Sequence, residues 1–97
     1  MRLLDGGIML SLDDCIAMSG LTEEEVAIIA EHEHLSMIVA AQLGHTLLKT
    51  PKGVFTLRGY IADLLAQAKL AGKRDKAKRV DLVLTRFNAA HPLSRVL

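Results

Sequence analysis

Apolar and polar positions along this chain recur with a helical period, and no segment keeps a strand-like alternation for long. At about 100° per residue, Val54, Leu57, Ile61, Leu64, Leu65 and Ala68 share one face of a stretch that opens at Thr50-Pro51 and closes at Ala71-Gly72. Pro suits the first turn of that helix, because its missing N–H would find no partner there. Ala77, Val80, Val83, Leu84 and Phe87 share a face of a second stretch, from Asp75 to about Ala90, stopped before His91-Pro92. The short link at Gly72–Arg74 makes these two helices an antiparallel hairpin.

Upstream, Ser11 is a fitting N-cap for a short helix over Leu12–Met18, with Gly20 just past its end. Thr22 and Glu25 then form a capping box, with Leu21 and Val26 placed as a hydrophobic staple. The pattern predicts one long helix from Glu23 to about Leu43, stopped or bent by Gly44. One face of it carries Val26, Ile29, Ala30, Met37, Ala40 and Ala41; another carries Ile28, Leu35, Val39 and Leu43. A helix apolar on two sides is buried on two sides. It is either the central helix of the monomer, covered by the terminal arms, or a homodimer helix. The second arrangement is preferred, with Ile28, His32, Leu35, Val39 and Leu43 at the dimer interface. The expected fold is all-α: a single domain over residues 1–97, a small bundle of one short and three longer helices. An apolar arm (1–10) precedes it and a tail (92–97) follows.

Composition narrows the class. With 97 residues, 51% of them hydrophobic but only 3% aromatic, the core must be filled by aliphatic side chains. One cysteine, Cys15, forms no internal disulfide, so nothing implies an oxidising compartment. Residues 1–10 break their apolar character too early for a signal peptide. Leu35 to Leu48 is too short to span a bilayer, which takes about 20 apolar residues. A cytoplasmic protein with no membrane partner is expected.

The small net charge of +1 conceals a strong segregation. Residues 1–44 hold one base (Arg2) against eight acids, a net of −7, while residues 45–97 hold eleven bases against Asp63, Asp75 and Asp81, a net of +8. Such halves favour packing on each other or on a second copy. The densest run of bases, Lys69, Lys73, Arg74, Lys76, Lys78 and Arg79, sits at the hairpin tip and is a candidate polyanion surface. No aromatic residues interleave with it, which speaks against base recognition and leaves nucleic acid the lesser expectation.

The candidate chemistry concentrates in Glu31-His32-Glu33-His34. On a continuous helix Glu31 and His34 share a face at the Glu-x-x-His spacing of carboxylate metal sites, and they are the candidate ligands for a divalent transition metal. No His-Glu-x-x-His zinc pattern is present. A solvated, ion-paired strip is the plainer reading, with no cofactor. Glu33 falls among Val26, Ile29, Met37 and Ala40, where a carboxylate must be paired or protonated; Arg58, Arg79 and Arg86 are its candidate partners. His32, between Ile28, Leu35 and Val39, is expected as a hydrogen-bonded core or interface histidine. Cys15 has acids beside it that disfavour a thiolate. No nucleophile turn, phosphate-cradling loop or dinucleotide fingerprint appears, so no catalytic residue is assigned and the protein is not expected to be an enzyme.

Leu21-Thr22-Glu23-Glu24-Glu25-Val26, running into Glu31-His32-Glu33-His34 and then Val39-Ala40-Ala41-Gln42-Leu43-Gly44, is similar to short, all-helical bacterial proteins of uncharacterised function. The resemblance implies a bacterial, cytoplasmic origin and assigns no functional residue. The expected role is a small non-enzymatic protein-interaction or regulatory module acting as a homodimer. The alternatives are metal binding through Glu31 and His34, or sequence-independent nucleic-acid binding through the hairpin tip.

Overall fold

A computed structural model describes residues 11–92; the apolar arm and all but the first residue of the tail lie outside that range. The described residues are all-α and form five helices: α1 (Leu12–Ser19), α2 (Glu23–Glu33), α3 (Met37–Leu47), α4 (Pro51–Leu70) and α5 (Arg74–Ala90). No described helix is long and apolar enough to cross a membrane.

Most boundaries follow from capping chemistry. The Asp14 N–H donates to Ser11 Oγ while the Ser11 N–H donates to Asp14 Oδ2, a reciprocal box that opens α1. Gly20 closes α1 at φ +83°, a left-handed conformation that costs glycine nothing. The same reciprocal box joins Thr22 and Glu25 at the start of α2. Glu25 is thereby buried with its carboxylate occupied. Thr50 caps α4 through the Gly53 N–H, with Pro51 in the first turn.

The principal departure is at residues 34–36. The expected Glu23–Leu43 helix is two eleven-residue helices, α2 and α3. His34 adopts φ +58°, ψ +49°. The Leu35 N–H donates back to the Ala30 carbonyl at 2.9 Å, the six-to-one bond of a Schellman ending. Leu35 and Ala30 are both partly buried and pack against the core. Ser36 then caps α3 by accepting the Val39 N–H. Gly44, expected to stop or bend the helix, lies inside α3, which continues to Leu47. It is buried, and a Cβ there would overlap the Leu21 side chain, so glycine serves close packing rather than termination.

The helical break decides the packing. α2 folds back toward α3 and also packs on α4, α1 covers α3, and α4 pairs extensively with α5 across the three-residue link. Val26, Ile29, Leu57, Ile61 and Phe87 are fully enclosed at the centre. On α4 the buried positions Leu57, Ile61, Leu64, Leu65 and Ala68 reproduce the periodic face, with Val54 half-buried at its edge.

Two glycines of α4 have opposite environments. A Cβ at Gly53 would overlap the Leu47 carbonyl, a backbone group that cannot swing away; one at Gly59 would meet nothing within 4 Å. Gly59→Ala is therefore expected to stabilise the protein by about 0.5–1 kcal/mol through helix propensity. Gly53→Ala is expected to destabilise it by about 1–3 kcal/mol through overpacking. Denaturant unfolding of the two variants measures both.

Candidate functional site

The Glu-His run sits at the end of α2, and the end of the helix distributes its side chains. Glu31 reaches α5, where it accepts a bond from Lys76 Nζ. His32 turns to α4, its ring stacked on Tyr60 with centroids 4.5 Å apart and planes inclined by 23°. The two ring nitrogens point at different acids: Nδ1 lies 2.7 Å from Glu33 Oε2 and Nε2 lies 3.0 Å from Asp63 Oδ2. His34, in the left-handed cap, is exposed.

This arrangement favours imidazolium. A neutral ring has one N–H and one lone pair, so it satisfies one carboxylate and repels the other; the charged ring donates to both. Burial alone would lower the His32 pKa, but the bonds to Asp63 and Glu33 and their negative charge outweigh it. The net effect raises the pKa above the usual 6.5. Burial first, and the Glu33 charge second, push the Tyr60 phenol up from its ordinary range.

Glu33 is half-buried and its partner is His32, not Arg58, Arg79 or Arg86. Enclosure between Val26, Ile29, Met37 and Ala40 would have required a continuous helix, and Met37 and Ala40 belong to α3. The metal pairing loses the same footing. His34 is not helical, so Glu31 and His34 do not share a helical face, and the Glu31 carboxylate is engaged by Lys76. His32 has two acids beside it, yet they lie on opposite edges of the ring and do not converge. Among the described residues no group of three or more His, Cys, Asp or Glu side chains is placed to hold a metal ion.

The five residues expected at a dimer interface are also separated by the break. Ile28 is buried and lines a cleft of about 290 Å³ with Leu64, Val80 and Val83, rimmed by Glu31, Lys76 and Arg79. His32 belongs to the α2–α4 contact. Leu35 and Leu43 are half-buried against the core, while Val39 is 45% exposed. The polyanion candidates do gather at the α4–α5 link. Lys69, Lys73, Arg74, Lys78 and Arg79 are exposed there, and Lys76 is half-buried by its bond to Glu31. Of the segregated charge, one pair closes between the halves among the described residues, Glu31 of α2 with Lys76 of α5.

Asp63 and Tyr60 carry no motif that sequence reasoning could use; a carboxylate 31 residues from its histidine partner is visible only once α2 crosses α4. Ser36 was the available signal for the break, since a serine directly before an apolar helical run is a fitting N-cap. No family model, curated protein or solved structure matches the chain.

Because the folded pKa of His32 exceeds its unfolded value, the stabilisation from its clamp is fully present below about pH 6.5. It is lost as pH rises through the folded value. Thermal unfolding of the wild type is expected to show a fall in Tm across this window, and His32→Gln, which carries no titrating ring, is expected to lack that component. Equal slopes for the two proteins would contradict the clamp.

Proposed function

We propose that this protein is a small, non-enzymatic interaction module that acts as a homodimer through α3. The observation that carries the reading is the outer surface of that helix. Met37–Leu47 contains no Asp, Glu, Lys or Arg, and it exposes Ile38 and Val39 side by side, at 44% and 45%. Interface centres are depleted of charge and enriched in apolar side chains. β-branched residues on a helix hold essentially one rotamer, so ordering them on association costs little entropy.

Supporting surface lies beside them. Leu43 is half-buried one turn after Val39, and Met18 of α1 stands 64% exposed on a cleft of about 260 Å³ shared with Cys15, Ala41, Gln42 and His45. A stable dimer removes roughly 800 Å² from each partner, so the proposed contact spans α3 and the adjoining side of α1. The dimer residues of this reading are Val39 and Leu43, extended by Ile38. Ile28 serves the monomer core instead.

Because Val39 is exposed in the monomer, Val39→Glu leaves the fold intact while placing a charge at the centre of the contact. Wild-type protein at tens of micromolar is expected to be a dimer by light scattering. Val39→Glu is expected to be a monomer with unchanged helical circular dichroism. A monomeric wild type, or a Val39→Glu dimer, would overturn the reading.

A further inference from the structure

At the tip of the α4–α5 pair, Leu70 is 90% exposed, the most exposed large apolar side chain among the described residues. It ends α4 inside the densest basic run of the chain. Residues 69–79 hold six bases and one acid, Asp75. Of the six, only Lys76 has an ion-pair partner among the described residues. We infer that this tip is a docking surface for an anionic lipid bilayer, with Leu70 entering the headgroup layer and Lys69, Lys73, Arg74 and Lys78 lying against lipid phosphates.

Three features of the tip fit that occupant. A protruding apolar side chain inside a run of exposed bases needs no complementary pocket on a fluid surface, whereas a folded protein partner would have to supply an acidic cavity. The backbone of the reversal is already satisfied internally: the N–H groups of Ala71, Gly72 and Lys73 donate to the carbonyls of Gln67, Lys69 and Ala68. Entry into a poorly hydrated layer therefore strips few backbone groups of partners. Acid reaches the inner side of the run, where Glu24 and Glu31 line a cleft with Lys76 and Arg79, while Lys69, Lys73, Arg74 and Lys78 stay exposed and without an ion-pair partner among the described residues.

Nucleic acid is the competing polyanion, and the tip lacks what single-strand recognition uses. Phe55, Tyr60 and Phe87 all lie away from the 69–79 run, so no aromatic platform accompanies the bases, and an exposed leucine offers no stacking. One inserted leucine gives only marginal attachment, so the cations must supply most of the affinity. The length criterion that excludes a spanning helix does not bear on a surface contact of this kind.

Vesicle flotation with the full chain tests the inference, comparing phosphatidylcholine alone with phosphatidylcholine containing about one-third phosphatidylglycerol. Binding is expected only to the anionic vesicles and is expected to fall with added salt. Each cation near the surface contributes about fivefold, so Lys73→Glu/Arg74→Glu is expected to weaken binding by at least tenfold. Leu70→Ser is expected to weaken it by up to about tenfold. Lys49→Glu/Lys52→Glu, at the opposite end of α4, retains most of the binding. All of these positions are exposed, so circular dichroism is expected to stay unchanged. Absence of anionic-vesicle binding would overturn the inference, as would binding indifferent to Leu70→Ser. Tight binding to a polynucleotide with none to vesicles would assign the tip to nucleic acid instead.

Discussion

One left-handed residue sets the arrangement of the N-terminal half of the fold. With His34 at φ +58° the chain leaves α2, and Ser36 starts α3 two residues later. A non-glycine residue in this region pays a steric cost of about 1–2 kcal/mol. The surroundings offset it: the Leu35 N–H is bonded to Ala30, and Leu35 and Met37 pack on the core. Without the break, α2 and α3 would be one rod, and α2 could not fold back to pack on α3.

The break also sorts the Glu-His run into separate tasks. Glu31 ties α2 to α5 through Lys76, and His32 ties α2 to α4 through Tyr60 and Asp63. Of the two links the second carries more weight. Glu31 is half exposed, and exposed pairs contribute little. The His32 side chain is 17% exposed, stacked and bonded at both nitrogens. What looked like a ligand cluster in one dimension is a pair of inter-helix fasteners in three.

Capping and periodicity were legible because they are local. Ser11, Thr22, Thr50 and Pro51 each start the helix their chemistry implies, and the apolar faces of α4 and α5 are the buried ones. The break left only Ser36 as a sign, because both apolar faces of α2 and α3 continue in phase through residues 34–36 and histidine is a weak marker of a left-handed cap. Gly44 misled in the other direction: it answers to the Leu21 side chain, a contact that periodicity does not contain. The partners of Glu33 and His32 were out of reach for the same reason, since Asp63 and Tyr60 become neighbours only through the crossing of α2 and α4. Charge segregation did not say which residues meet, and of that charge one pair, Glu31 with Lys76, joins the two halves among the described residues.

The central claim, that α2 and α3 are separate helices joined through a left-handed His34, is tested most directly by the relative stability of His34→Gly and His34→Ala. The residue is exposed, so neither change removes a packed side chain. In a left-handed cap, Gly is favoured over Ala by about 1 kcal/mol, because Ala keeps the Cβ clash. In the interior of a continuous helix the order reverses by about the same amount. Denaturant unfolding is expected to place His34→Gly above His34→Ala; the opposite order would mean that the helix runs unbroken from Glu23.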